Sequence, residues 1–329
     1  MYDIRKSQRI VVIGCGGAGL DSLHHLSNKK SPYLITIGFD TDSNPNNYLM
    51  ADHYFPLTKT FIKRQIHENI EDNRKLISNV LKKVLRNILK PNDFIIITAG
   101  LGKQTGTYLA TLIAEIVKEI SNNPVIGLVT YPYPYSKERL ECARHGINYL
   151  TQALDSVIVF EMERLRHLFK NPDVGTLYSK TSRLIAAEIE FLTSPFINID
   201  NEDFLSVIGT QGIDVVLYGE GSGPDMIQGL VRACLSNPLL DIDYRMASGC
   251  LVLVEGGPGL TRNITEKITD ELTVELSHGA DIAWGFRNLK GLGNKVHGQA
   301  IMTGIQSGWP VGIVPGLAPI KNIKNSQTG

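Results

Sequence analysis

Apolar runs of strand length alternate with amphipathic helical patterns through the first part of the chain. Strands are predicted at Arg9 to Ile13, Leu34 to Phe39, Ile95 to Ile97, Pro124 to Thr130 and Val157 to Phe160. Apolar residues spaced three and four apart predict helices at about Leu20 to Leu26, Ile70 to Leu89, Leu109 to Ile120 and Lys137 to Ala153. Because strands alternate with helices, we expect an α/β fold with a doubly wound, mostly parallel sheet.

The second part of the chain has a different pattern. Leu177 to Thr193 is predicted to form one long central helix. Strands are predicted at Val215 to Tyr218, Cys250 to Glu255, Ile282 to Phe286 and Gln299 to Thr303, with helices at about Pro224 to Ser236 and Asn263 to Leu276. We therefore expect an α/β domain at residues 1–173, the central helix and an acidic loop at 174–204, a smaller α+β domain at 205–307 and a flexible tail at 308–329.

Two glycine-rich turns connect predicted strands to predicted helices. The first is Gly14-Cys15-Gly16-Gly17-Ala18-Gly19, and the second is Ala99-Gly100-Leu101-Gly102-Lys103-Gln104-Thr105-Gly106-Thr107. Unpaired backbone amides and the helix dipole at such a turn favour an anion such as phosphate. One isolated turn is equally compatible with an ordinary strand-to-helix connection. Two turns in one α/β domain favour a nucleotide held between two loops.

The first turn alone is also compatible with a dinucleotide site. Its glycine spacing is close to Gly-x-Gly-x-x-Gly, and Asp40 and Asp42 lie near the expected position of a ribose-binding carboxylate. An NAD-dependent enzyme is therefore a rival interpretation, although the sequence shows no evident hydride-transfer site.

An acidic segment opens the helix that is predicted to start near Phe204. It reads Asn198-Ile199-Asp200-Asn201-Glu202-Asp203. Its carboxylates either cap the helix and complement its dipole or orient an attacking water molecule. The residues alone leave both interpretations open.

Charge and cysteine usage narrow the class of protein. The chain has 33 basic and 33 acidic residues, so no overall electrostatic field attracts nucleic acid, and direct nucleic-acid binding is not expected. Four separate cysteines, which form no metal-binding pair, are expected to be small buried residues in a reducing compartment. No apolar stretch is long enough to span a membrane. We expect a cytoplasmic protein with no metal site built from its own side chains and no transmembrane segment.

The order of these features resembles the tubulin/FtsZ superfamily, and it is closer to the prokaryotic FtsZ branch. The resemblance covers nearly all of residues 9 to 305. It rests on the two glycine turns, the acidic segment, Asp40-Thr41-Asp42, Thr130-Tyr131-Pro132 and Ser236-Asn237-Pro238-Leu239-Leu240.

This resemblance implies an FtsZ-like cytoskeletal protein that binds GTP or GDP, with Mg²⁺, and polymerises head to tail. Asn198, Asp200 and Asp203 would complete a GTPase site on the neighbouring subunit. The implied nucleotide-binding residues are Gly14, Gly16, Gly17, Ala18, Gly19, Asp21, Asp40, Thr41, Gly100, Gly102, Lys103, Gln104, Thr105, Gly106, Thr107, Pro132, Arg139 and Ser179. Members serve processes such as cell division, and the tail would be the contact for a membrane adaptor or a division partner.

The chain departs from the family pattern at several positions, including the glycine-free third loop at Ala51 to Lys90 and the ribose-binding glutamate, which is replaced by Tyr135 or Ser136. Lys103, Gln104 and Tyr108 occupy positions of the second turn that are normally glycine, and the base-reading Asn-Asp pair falls on Tyr178 and Ser179. Lys103 either reaches the β- or γ-phosphate or points into solvent. These departures motivate a second hypothesis, in which the protein is a divergent FtsZ-like assembly or scaffold protein with weak or lost nucleotide binding and hydrolysis.

Overall fold

The computed structural model describes residues 8–27, 33–42, 49–57, 70–134, 136–194, 196–237, 239 and 243–305. The predicted tail at 308–329 lies outside these residues. The first strands are β1 (Ile10–Cys15), β2 (Leu34–Asp40), β3 (His53–Pro56), β4 (Phe94–Gly100), β5 (Val125–Tyr131) and β6 (Ser156–Glu161). The helices of this part are α1 (Gly16–Ser27), α2 (Ile70–Ile88), α3 (Gln104–Ile120), α4 (Lys137–Ala153), α5 (Met162–Leu168) and α6 (Val174–Leu192).

The remaining elements alternate less regularly. They are α7 (Asn201–Ile208), β7 (Ile213–Ser222), α8 (Met226–Leu235), β8 (Gly249–Gly256), α9 (Arg262–Thr273), β9 (Asp281–Asn288) and β10 (Lys295–Ile305). Short 3-10 turns occupy Gly223–Asp225, Tyr244–Met246 and Lys290–Leu292. In the part of the chain that the structure describes, no helix combines the length and the apolar character needed to cross a bilayer.

The strands form one sheet in the order β3-β2-β1-β4-β5-β6-β7-β10-β8-β9. Strands β1 to β7 pair in parallel, whereas β10 is antiparallel to both β7 and β8. The junction between β6 and β7 is narrow, with Val157 opposite Ile213 and Ile158 opposite Asp214. This topology confirms the predicted α/β class with a smaller α+β part after the central helix.

Helices cover both faces of the parallel strands. One core contains Val12 and Ile96 together with side chains of α1, α5 and α6. The other contains Val11 and Ile95 together with side chains of α2, α3 and α4. Successive strand residues point to opposite faces of a sheet, so a strand that is apolar throughout supplies both cores. The C-terminal strands enclose a third core with α8 and α9.

Some element boundaries differ from the prediction. Helix α1 begins at Gly16 because the glycine turn itself forms the first helical turn. Helix α6 begins at Val174 because Asp173 caps it, and the Thr176 backbone N–H donates to Asp173 Oδ1 at 3.0 Å. Strand β3 and helix α5 were not predicted, since neither is long enough to show a clear period.

Candidate nucleotide-binding site

The two glycine turns meet at the carboxyl edge of the sheet. Strands β1 and β4 are parallel neighbours, with Cys15 opposite Ala99. Helix α1 follows β1 directly, and α3 begins at Gln104 just after β4. Gly16 has a φ of +70°, and a Cβ atom there would lie 3.2 Å from Cα of Gly106. The backbones of the two turns are therefore in contact, and two helix N-termini with positive dipole ends lie side by side.

The glycines of these turns have two different roles. A Cβ on Gly19 would lie 2.6 Å from the carbonyl oxygen of Thr98, so this glycine is required by close packing of helix on strand. Similar close contacts involve Gly14, Ala18, Gly100 and Gly106. Gly17 is exposed, and a Cβ there would have no heavy atom within 4 Å. Gly17 therefore borders open space at the N-terminus of α1.

Gly102 joins the second turn to the next strand-to-helix connection. Its φ is +91°, and a Cβ would lie 2.7 Å from Cγ of Pro132 and 2.9 Å from the carbonyl oxygen of Arg139. The structure thus brings three predicted binding residues into one backbone cluster. The Arg139 side chain is exposed beside it.

The polar residues of the second turn divide between the turn and the solvent. The Gly102 N–H donates to Thr107 Oγ1 at 2.9 Å, so this hydroxyl closes the turn. Lys103 is the N-cap residue of α3 and makes no side-chain hydrogen bond to the helix. Lys103 and Gln104 are exposed, and Thr105 is half-buried. The first amides of α3 therefore have no side-chain cap in this turn and are available to an anion.

The end of β2 contributes polar groups to the same edge, because β2 is the parallel neighbour of β1. Asp40 is buried, and its Oδ1 accepts from the Thr41 backbone N–H at 2.7 Å. Burial raises the pKa of the Asp40 carboxyl. Asp21 lies one turn into α1, where its side chain is exposed.

A pocket of about 100 Å³ lies further along this edge, between the ends of β5 and β6 and the start of α6. Its lining includes Tyr133, Met162, Arg166 and Tyr178. Ser179 is exposed on α6 next to Tyr178. Sequence reasoning missed Arg166 because α5 has only 7 residues. The available signal was its place directly after a strand that ends at the ligand-binding edge.

The acidic segment caps α7. Asp200 Oδ1 accepts from the Asp203 N–H at 2.9 Å, and Asp203 Oδ2 accepts from the Asp200 N–H at 3.3 Å. This reciprocal pair confirms the capping interpretation, yet both carboxylates stay exposed and keep further lone pairs. Asn198 is exposed with a φ of +68°, and its Nδ2 lies 3.5 Å from the carbonyl oxygen of Trp284.

Strand β9 anchors the acidic segment. Ile197 and Phe286 exchange two backbone hydrogen bonds, of 2.7 and 3.0 Å. The Arg287 guanidinium lies 4.9 Å from the ring centre of Phe196, just before the segment. The segment is therefore held against the C-terminal part of the fold.

The acidic segment and the glycine turns lie at opposite ends of the sheet. Phe204, in α7, packs edge-on against Phe94 with 5.7 Å between ring centres. Phe94 is the first residue of β4 and Gly100 is the last. Six strand steps separate them by about 20 Å. The structure therefore brings the predicted phosphate-binding residues together, and it places the three predicted catalytic residues far from them.

Comparison with known proteins agrees with this arrangement. Residues 9–170 match the Tubulin/FtsZ family GTPase domain, and residues 212–306 match the FtsZ family C-terminal domain. Cell division protein FtsZ 2 of Halobacterium salinarum is 32% identical over 314 residues, which cover 92% of this chain and 78% of the relative.

Solved structures share the fold. An empty FtsZ dimer from M. jannaschii has a TM-score of 0.77 at 26% identity, over 91% of this chain and 89% of the other. The GTPγS-bound protofilament of CetZ2 from Haloferax volcanii has a TM-score of 0.78 at 16% identity, over 92% and 95%. With both domain matches and a relative above 30% identity, the chain belongs to the tubulin/FtsZ family.

Proposed function

We propose that the protein binds GTP at the carboxyl edge of its sheet and polymerises head to tail, and that the acidic segment of one subunit completes a GTPase site on the next. The observation that carries this proposal is the separation of about 20 Å between the exposed carboxylates and the glycine turns. Carboxylates at that distance cannot touch a phosphate bound on the same chain. A head-to-tail contact repeats without closing, so it places them at a neighbour's site and generates an open filament.

The residues present fit a nucleotide phosphate. The uncapped start of α3, the adjoining start of α1 and the open space at Gly17 form a cradle of backbone amides. Within the described residues, no group of three His, Cys, Asp or Glu side chains is arranged to hold a metal ion. Mg²⁺ would therefore be bound largely through phosphate oxygens and water, which this ion accepts readily.

The acidic side chains would act on the attacking water. Asp200 and Asp203 each use one oxygen in the cap of α7, which fixes both carboxylates. The remaining lone pairs can accept a hydrogen bond from water and orient it towards a neighbour's terminal phosphate. Asn198 lies at the entrance of the same segment and would orient that water from a second side.

The relatives support a cytoskeletal role in the cytoplasm. The Halobacterium relative is named a cell division protein, and the CetZ2 structure is a nucleotide-bound protofilament. All four cysteines of this chain are free thiols, as expected in a reducing compartment. We place the protein in this class of filament, with division or shape control as the process it serves.

A mixing experiment tests completion of the site between subunits. Gly17→Asp adds a carboxylate to the open space of the phosphate cradle, where a Cβ atom would have no heavy atom within 4 Å. Asp203→Asn removes one charge from the acidic segment and keeps an oxygen for the cap. Each variant alone should hydrolyse GTP at least about tenfold more slowly than the parent. In a random filament of an equal mixture, about a quarter of the interfaces pair an intact site with an intact segment, and turnover should recover to about that fraction.

Glu202→Gln is the matched control, since Glu202 is an exposed neighbour outside the reciprocal cap. A mixture of Glu202→Gln with Gly17→Asp should hydrolyse GTP at the rate that the same amount of Glu202→Gln shows alone. If the Gly17→Asp and Asp203→Asn mixture hydrolyses no faster than the sum of its parts, the site is not completed in trans.

One observation favours the scaffold alternative. Thr107 is buried, and its Oγ1 accepts a hydrogen bond from the Gly102 N–H that closes the second turn, so this side chain is fixed inside the turn and is not presented at its surface. In that case the parent protein should form filaments, measured by light scattering, equally well with and without GTP.

A further inference from the structure

A cluster on the C-terminal strands holds the chain just before the acidic segment. Arg287 on β9 lies opposite Glu255 on β8, and its Nη2 donates to Glu255 Oε1. The Arg287 guanidinium also lies 4.9 Å from the ring centre of Phe196 and 5.6 Å from that of Phe191. The two rings pack edge-on, with 5.3 Å between their centres. One guanidinium therefore joins the last turn of α6, the chain two residues before the acidic segment, and strand β8.

Arg287 and Glu255 lie on the face of the sheet that α6 and α7 cover. Ala283 and Leu253, an even number of residues away on the same strands, belong to the core that contains side chains of these helices. The Arg287 and Glu255 side chains are only 20% and 12% exposed. A guanidinium is planar, so it can lie over aromatic rings while it donates to a carboxylate. The ammonium group of a lysine cannot do both.

The acidic segment itself is pressed against β9. A Cβ atom on Gly285 would lie 2.6 Å from Cγ2 of Ile199 and 2.9 Å from Cβ of Phe196. Asn198, between them, has a φ of +68°, which is unfavourable for a residue with a side chain. Such a conformation persists only where the surrounding structure holds it. The close contact at Gly285 and the Arg287 cluster supply that restraint.

The two ends of the segment are fixed by different means. The reciprocal cap of Asp200 and Asp203 orients these carboxylates relative to α7. The contacts on β9 fix the other end, at Asn198, relative to the C-terminal sheet. Catalysis is sensitive to such restraints, because a displacement of about 1 Å can cost about a hundredfold in rate.

We propose that Arg287 is a positioning residue for GTP hydrolysis, which holds the acidic segment of its own subunit in the pose that reaches the nucleotide of the next subunit. This inference rests on the proposed function and adds a residue on which that function depends. Arg287 acts through Asn198 and the two capping carboxylates. It therefore belongs functionally with the acidic segment and not with the glycine turns of its own chain.

The first test is Arg287→Lys, which keeps the charge beside Glu255 and loses the planar group that lies over the rings. GTP affinity, measured by calorimetry, should stay that of the parent, and turnover at saturating GTP should fall at least about tenfold. Arg262→Lys is the matched control. Its guanidinium lies 5.6 Å from the ring centre of Trp284, which packs on the opposite face of β9, and the control should keep the parent's turnover.

Mixing separates positioning of the segment from a general loss of structure. Arg287→Lys keeps an intact phosphate cradle, and Gly17→Asp keeps an intact segment. An equal mixture of these two variants should recover about a quarter of the parent's turnover. A mixture of Arg287→Lys with Asp203→Asn should recover none, because every segment in it is impaired. A variant damaged throughout the fold would be restored by neither partner.

Two results would overturn the inference while the proposed function survives. One is parental turnover in Arg287→Lys. The other is a loss of turnover in a protein with the parent's circular dichroism spectrum that Gly17→Asp does not restore. If Arg287→Lys does not fold, Glu255→Gln takes its place, since it removes the partner charge and leaves the guanidinium. Glu255→Gln should also lose turnover and be restored by Gly17→Asp alone, and the same two results would count against it.

The parent experiment separates failure of the inference from failure of the proposed function. If the mixture of Gly17→Asp with Asp203→Asn does not recover turnover, the site is not completed between subunits, and the inference fails together with the proposed function. If that mixture recovers and the mixture of Arg287→Lys with Gly17→Asp does not, only the inference fails.

Discussion

Individual glycines in the two turns are constrained by different neighbours. Gly102 combines a positive φ with two contacts that exclude a side chain. Gly17 is also a glycine in a strand-to-helix turn, yet a Cβ atom at this position would have no heavy atom within 4 Å. A glycine-rich pattern therefore mixes residues that hold the fold together with residues that leave room for a ligand, and only their surroundings separate the two.

Gly102→Ala should destabilise the protein by about 1–2 kcal/mol or more, because a left-handed backbone is unfavourable for alanine and the added methyl meets Pro132. The midpoint of urea unfolding, followed by circular dichroism, measures the loss. Gly17→Ala is the matched control and should leave this midpoint unchanged. Equal midpoints for both variants would mean that the turn relaxes around the new side chain.

Lys103→Ala should weaken binding of GTP more than binding of GDP, if the exposed ammonium group at the start of α3 reaches the terminal phosphate. Titration of both nucleotides into parent and variant gives the two ratios. Lys267→Ala, on the exposed face of α9, is the control. An identical ratio of GTP to GDP affinity in parent and variant would place Lys103 in solvent.

Helix α6 is the element that joins the two parts of the molecule. It has 19 residues and so spans about 28 Å, from the pocket at the carboxyl edge to the acidic segment at the other. Glu188 is buried on this helix, where it accepts from Tyr218 Oη at 2.6 Å and from Gln299 Nε2. These two partners lie on β7 and β10, so the carboxyl group ties the helix to the C-terminal sheet.

Burial raises the pKa of Glu188 to about 7. Between the pKa of the unfolded chain and about 7, the folded state binds the proton that the unfolded state has released. The contribution of Glu188 to the free energy of unfolding is therefore fully present at low pH. It is lost as the pH rises towards 7, and the total loss is about 3 kcal/mol. Glu188→Gln should reduce the slope of the unfolding free energy against pH between the ordinary Glu pKa of about 4.3 and about 7.

Glu190→Gln, on the same helix, is the control for this measurement and should keep the slope of the parent. Asp214 is also buried, and burial raises its pKa to about 8. A residual slope in Glu188→Gln is therefore expected. A slope in Glu188→Gln as steep as that of the parent would remove Glu188 as its source.

The two ends of the molecule differ, and each end carries one part of the proposed GTPase site. The glycine turns lie at the carboxyl edge of the sheet, and the acidic segment lies about 20 Å away at the other end. In the proposed mechanism, a single chain is incomplete as a GTPase, and the rate of GTP hydrolysis would report on assembly.

Asp203→Asn should leave GTP affinity unchanged, slow turnover by at least about tenfold and lengthen the filaments, because hydrolysis at the interface is removed while nucleotide binding is not. Calorimetry, phosphate release and electron microscopy measure the three effects. Weakened GTP binding with normal turnover per bound nucleotide would contradict the assigned role.

Local sequence patterns were enough to predict the parts of the fold that depend on residues close together in the chain. Strand and helix periods were sufficient to predict the α/β architecture, and the order of the glycine turns, the acidic segment and the other matching loops carried the resemblance to the family. The reciprocal cap formed by Asp200 and Asp203 was also predictable, because it joins residues only three positions apart.

Contacts between residues distant in the chain could be identified only in the folded structure. Gln299 meets Glu188 across 111 residues, Arg166 meets Tyr133 across 33, and Gly16 meets Gly106 through the pairing of β1 with β4. Local propensity contains no information about such contacts, since they arise from how the sheet orders its strands and how the helices pack on it. The sequence thus specified which chemical groups are present, and packing specified which of them share a site and which are kept at opposite ends.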